Sequence, residues 1–155
     1  MNHKRIPQEL AALPQWVGWK AMIRDGKTVK VPVDPKAKNL TPAKVNAPSS
    51  WGTLQEAIAA MKRLYLDGIG LVFTDPYVGI DLDHCRDPKT GLVEKWAREI
   101  VDRMNSYTEI SPSGCGLHII VKGEVSGGNH KGKGVEVYSH SRFFTFTGNV
   151  LKRNK

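Results

Sequence analysis

Cysteine is scarce in this sequence: Cys85 and Cys115 stand thirty residues apart, with no Cys-x-x-Cys pair. That spacing argues against a disulfide scaffold or a structural zinc site, and both side chains are read as reduced thiols. Long apolar runs are absent as well. Without eighteen consecutive apolar residues, or a basic start followed by an apolar core, neither a membrane span nor a signal peptide is expected, and the chain is placed in the cytoplasm. Acids are in the minority, 15 Asp and Glu against 23 Lys and Arg, for a net charge of +8. No internal repeat or low-complexity tract organises the chain.

What is present is an ordinary globular composition, 155 residues of which 40% are hydrophobic, enough for one domain or two small lobes sharing a core. The charge is unevenly placed. Basic residues crowd the first third and the last quarter, whereas Asp75, Asp81, Asp83 and Asp87 gather in the middle. A basic rim around an acidic centre suits a polyanion held over a metal site; the alternative is that the lysines are solvated and serve solubility.

Two apolar runs flank Asp75-Pro76 in residues 68–83, which predicts a β-hairpin whose second strand ends Gly79-Ile80-Asp81-Leu82-Asp83. Side chains alternate along a strand, so Val78, Ile80 and Leu82 take one face, Asp81 and Asp83 the other. Two carboxylates that close repel, and a divalent cation that prefers oxygen is the usual relief. The plain alternative is that they end a strand at its solvent edge. Residues 7–13 read as a short helix, and residues 16–20 and 30–33 as a hairpin, with Lys20 and Lys30 either solvated at its edge or in contact with phosphate. Residues 34–50, with several prolines and no periodicity, predict a long mobile loop able to fold over a substrate.

Thr53-Leu54-Gln55-Glu56 is a capping box opening an amphipathic helix, and apolar residues at helical spacing over 92–104 predict a second. Residues 107–110 and 117–121 make a second hairpin across Ser111-Pro112-Ser113-Gly114-Cys115-Gly116, and residues 135–138 with 143–146 a third. If the apolar face of each strand packs on the helices, one open sheet face collects Asp81, Asp83, His118 and Glu136.

Taken in order, Gly79-Ile80-Asp81-Leu82-Asp83, the Ser111 to Gly116 turn with Leu117-His118, Val135-Glu136-Val137-Tyr138, and Arg142-Phe143-Phe144-Thr145-Phe146-Thr147-Gly148 resemble the primase-polymerases of the archaeo-eukaryotic primase superfamily. The branch they look most like is the one found in phages, plasmids and other mobile elements. The resemblance takes in nearly the whole chain, including Trp16-Val17-Gly18-Trp19 and Lys30-Val31-Pro32-Val33-Asp34-Pro35. It implies an α/β (α+β) archaeo-eukaryotic primase fold, with an RRM-like, mostly antiparallel catalytic sheet packed on two helices and a small N-terminal α/β lobe. Residues 1–66 would form that lobe and residues 67–150 the catalytic lobe of a single domain, 1–155.

The resemblance also implies roles. Asp81, Asp83 and Glu136 would hold a two-metal Mg²⁺ or Mn²⁺ site and, with His118, form the catalytic set. Ser111, Ser113, Gly114 and Gly116 would bind the triphosphate through a turn rich in backbone N–H groups. His118 would contact the nucleotide's phosphates, and Arg142, Thr145 and Thr147 would add phosphate or sugar contacts. Cys115 departs from the hydroxyl residue expected inside such a turn.

The implied activity is template-directed nucleotidyl transfer by a DNA polymerase, with primase activity as an addition, using dNTPs or NTPs on single-stranded or primed DNA, in contact with Lys20 and Lys30. A helicase domain or subunit is the expected companion, and the chain as given, ending at Lys155, is expected to be a monomeric excised core. The competing reading is a non-catalytic RRM-like module that grips single strands with aromatic and basic residues. A replication-initiator nuclease ranks last, because His118-Ile119-Ile120 lacks a second histidine.

Overall fold

In the computed structural model, residues 2–123 and 130–152 are described. Their elements are α1 (Gln8–Ala11), β1 (Trp16–Arg24), β2 (Lys27–Val33), α2 (Leu54–Arg63), β3 (Gly68–Val72), β4 (Tyr77–Leu82), α3 (Lys95–Met104), β5 (Tyr107–Ile110), β6 (Leu117–Lys122), β7 (His130–Gly132), β8 (Val135–Tyr138) and β9 (Phe143–Phe146), with short 3₁₀ turns at His3–Arg5 and Pro48–Ser50. The chain falls into two units, residues 7–72 with 141–146, and the described parts of residues 1–6, 73–140 and 147–155. The fold is mixed α+β with antiparallel sheets, consistent with a primase-like fold. No described helix is long and apolar enough to cross a membrane.

The first unit is an antiparallel sheet in the order β2-β1-β3-β9. Asp25 and Gly26 both take positive φ, 51° and 73°, the geometry a two-residue hairpin turn requires, and they close β1 onto β2. Helix α2 starts at the expected capping box: the Glu56 N–H donates to Thr53 Oγ1 at 3.1 Å and the Thr53 N–H to Glu56 Oε1 at 3.0 Å. Its small residues Ala57 and Ala60 are fully buried, and Ala60 packs with Val33 and Leu66. Residues 34–50, expected to be a mobile loop, are pinned. Asp34 donates its N–H to Thr41 O (2.8 Å), Lys36 Nζ donates to Ser49 O (2.8 Å), and Trp51 Nε1 donates to Lys44 O (2.8 Å) beside buried Ala43.

The second unit is a five-stranded antiparallel sheet, β5-β6-β4-β8-β7. Helix α3 sets Ala97 and Val101 against Ile80, Leu82, Leu117 and Ile119, with Val135 and Val137 packed at the margin. It begins at Lys95, and Leu92 is exposed, so the amphipathic spacing over-read the helix by a turn. Residues 149–151 run along the outer edge of β5, where Ile110 N–H donates to Asn149 O (2.8 Å) and Leu151 N–H to Thr108 O (2.9 Å).

Two predicted hairpins are corrected. Strands β3 and β4 do not pair: β1 and β9 occupy both edges of β3, and β6 and β8 occupy both edges of β4. Strands β8 and β9 likewise belong to different sheets. A strand has only two edges, and sequence adjacency cannot show that both are already filled. The five-stranded sheet therefore packs on α3 of its own unit, not on both helices, while α2 packs on β1 and β3.

Replacing Thr53 by Ala removes half of the capping box and should lower stability by about 1 kcal/mol. Thermal denaturation should show a fall of about 2–4 °C in Tm.

Candidate active site

Strand β4 lies between β6 and β8, and its register sets the geometry of the site. Asp81 is opposite His118 on one side and Glu136 on the other, and His118 is opposite Glu109 of β5. Their neighbours Ile80, Leu82, Leu117, Ile119, Val135 and Val137 pack towards α3, so the titratable residues share the other face. His118 Nε2 lies 3.4 Å from Asp81 Oδ1. Asp83 follows the last residue of β4 and donates its N–H to Gly134 O at 2.8 Å, beside the start of β8. The structure thus brings Asp81, Asp83, His118 and Glu136 into one neighbourhood, as strand parity predicts.

That face is not open along its whole width. Glu109 is wholly buried and His118 is 7% exposed, while the Asp81 side chain retains 20% exposure. Burial, with the charges of Asp81 and then Glu136, raises the Asp83 pKa above the ordinary carboxylate value, opposed by His84 and His118. The three carboxylates therefore feel one another. Their hard oxygens suit Mg²⁺ or Mn²⁺, and a bound cation would remove the repulsion. Among the described residues, no three His, Cys, Asp or Glu side chains are already gathered into a cage around an ion.

The 111–116 turn is closed on itself. Gly114 N–H donates to Ser111 O (2.9 Å), Gly116 N–H to Ser111 Oγ (3.1 Å) and Cys115 N–H to Ser113 Oγ (3.2 Å). The serine hydroxyls thus occupy the amides that the sequence reading offers to a triphosphate. Gly114 has φ +79°, and a Cβ on Gly116 would lie 2.7 Å from the Leu82 carbonyl oxygen, so neither position tolerates a side chain in this conformation.

The same end of β4 holds the turn from behind. The N–H groups of Cys85 and Arg86 both donate to Cys115 O, at 2.9 and 3.0 Å, and Arg86 Nη1 donates to Gly114 O at 2.8 Å. Arg86 Nε is buried and has no acceptor among the described residues. Sequence reasoning missed Arg86, because only the three-dimensional turn brings it under Gly114. It also missed Glu109, whose alternation with Thr108 and Ile110 was legible but whose register against His118 was not.

The remaining expected site residues are placed differently. Arg142 is exposed and Thr145 is buried, both in the unit of residues 7–72 and 141–146. The Thr147 hydroxyl is engaged locally, donating to Ile110 O (2.7 Å) and accepting from Asn149 N–H (3.1 Å). Lys20 pairs with Val31, and Lys30 with Ala21, so the two lysines take opposite faces of their hairpin. Lys20 Nζ donates to Tyr65 O at 2.7 Å, and Lys30 Nζ lies 5.4 Å from the Trp19 ring centroid. Cys85 is buried, which pushes its thiol up to about 11, and Cys115 is partly exposed; neither forms a disulfide.

No family model matches the sequence. The chain is 40% identical over 150 residues, 92% of its length, to a DNA primase-polymerase from Nitratiruptor phage NrS-1. It spans a fifth of that relative, 20% of its length. The resemblance to primase-polymerases of mobile elements is thus borne out by a relative that aligns across nearly all of this chain.

Because Asp83 has a raised pKa when folded, the native state holds its proton more tightly than the unfolded chain, and its charge opposes folding above that pKa. With divalent ions chelated, Asp83→Asn should therefore raise Tm at neutral pH. The gain should shrink as pH falls through the raised pKa and disappear below about 4, the unfolded carboxyl value. Equal Tm values for the two proteins at pH 7 would contradict the mutual repulsion.

Proposed function

We propose that this chain, kin along nearly its whole length to a phage primase-polymerase, is a metal-dependent, template-directed nucleotidyltransferase domain that extends single-stranded or primed DNA. The observation that carries this reading is the register that sets Asp81 between His118 and Glu136, with Asp83 alongside. Acids in that position would repel a nucleic acid gripped without chemistry, which disfavours the simple binding module.

Asp81, Asp83 and Glu136 would hold the cations after side-chain rotation closes the set. When bound, two such ions would activate a primer 3′-hydroxyl and stabilise the leaving pyrophosphate. The chain's own residues do the positioning. His118, standing beside Asp81, would face the phosphates of the incoming nucleotide. Phosphate oxygens would replace the serine hydroxyls at the N–H groups of Cys115 and Gly116, and the Arg86 guanidinium behind Gly114 would add positive charge there. The excess of lysine and arginine across the chain suits a DNA template.

Primer extension with Mg²⁺ or Mn²⁺ tests this reading. Asp81→Ala, Asp83→Ala and Glu136→Ala should each lower dNTP incorporation by about 100-fold or more while circular dichroism shows a retained fold. Chelation should abolish incorporation, and full activity in the double Asp variant would refute the site.

A further inference from the structure

Glu109 is a fully buried carboxylate with no part in the chemistry above. A charge so placed needs compensation, and its surroundings supply part of it. Oε1 accepts the Thr147 N–H at 2.8 Å, while Oε2 accepts the Gly148 N–H at 3.0 Å and the Tyr107 hydroxyl at 2.8 Å. Oε1 also lies 3.9 Å from His118 Nδ1, across the strand pair in which the two residues are in register. The imidazole is therefore flanked on both sides, by Glu109 at Nδ1 and by Asp81 at Nε2.

We infer that Glu109 is the positioning residue of His118, an electrostatic anchor at Nδ1 that keeps Nε2 turned towards Asp81 and the nucleotide's phosphates. The separation exceeds a direct hydrogen bond, so the hold is the attraction between a carboxylate and the N–H edge of the ring, acting where little water screens it. Thr147 and Gly148 immobilise the anchor with backbone donors, and the Tyr107 hydroxyl fixes its second oxygen. Burial is the largest influence and holds the Glu109 pKa above the ordinary carboxylate value, although these three donors and His118 each act to lower it. A carboxylate that orients a histidine from its far nitrogen is a general device for setting which ring nitrogen does the work. The part played at the phosphates rests on the proposed function; the anchoring itself does not.

The two are tested separately. In metal-free, nucleotide-free protein, long-range ¹H–¹⁵N spectra should show Nδ1 of His118 carrying hydrogen, and Glu109→Gln should displace the ring signals. An unprotonated Nδ1 in the wild type, or unmoved signals in the variant, would overturn the anchor whatever the enzyme does. In primer extension, folded Glu109→Gln should raise the dNTP KM about tenfold or more with a smaller change in kcat. Added to His118→Ala, it should cause no further rise in KM. Independent, multiplying losses, or a change in Tm with KM at the wild-type value, would make Glu109 a structural residue only. Should wild-type protein incorporate no nucleotide, the proposed function fails while the spectra still decide the anchor.

Discussion

Strand β4 has a neighbour on each edge, and hydrophobic packing on one face determines what the other face presents. Ile80, Leu82, Leu117 and Ile119 lie against α3, with Val135 and Val137 at the margin. A slip of one residue in either pairing would drive Asp81, His118 or Glu136 into that core and expose the aliphatic residues. Burying an unpaired carboxylate costs far more than a strand gains from alternative pairing, so the apolar side enforces a single alignment of the charged side. The acids are expensive to keep together, and nothing about them holds the register; the leucines and valines do.

The second constraint is that the carboxylate strand and the serine turn are one mechanical piece. Cys85 and Arg86, just past Asp83, bind the carbonyls of Gly114 and Cys115, and Gly116 presses against the carbonyl of Leu82. The turn cannot shift relative to the end of β4 without breaking three hydrogen bonds. On the far side, residues 147–151 cover the β5 edge and supply the donors that make a buried Glu109 tolerable. The acids, the serine turn and the histidine are thereby referenced to one sheet.

Much of this was legible beforehand. The β1–β2 and β5–β6 hairpins follow from alternation and turn residues, and Thr53 with Glu56 announced the start of α2, because these are local signals. Parity alone placed Asp81, His118 and Glu136 on a common face. Pairing between strands distant in sequence was not legible. Gly68–Val72 and Tyr77–Leu82 look like a hairpin until their edges are seen to be taken by β1, β9, β6 and β8. Glu109 and Arg86 escaped for the same reason, since each matters through a partner that only tertiary contact supplies. Serine and glycine pointed to a turn at 111–116 but not to hydroxyls satisfying the turn's own amides.

The two thiols differ in a way that can be exploited. Cys85 is inert through burial, its thiol displaced to about 11, whereas Cys115 sits partly exposed, and its neighbours grip it by the main-chain carbonyl. A maleimide or spin label applied under mild conditions would consequently settle on one sulfur, leaving the chain with a native reporter seated inside the serine turn beside the end of β4.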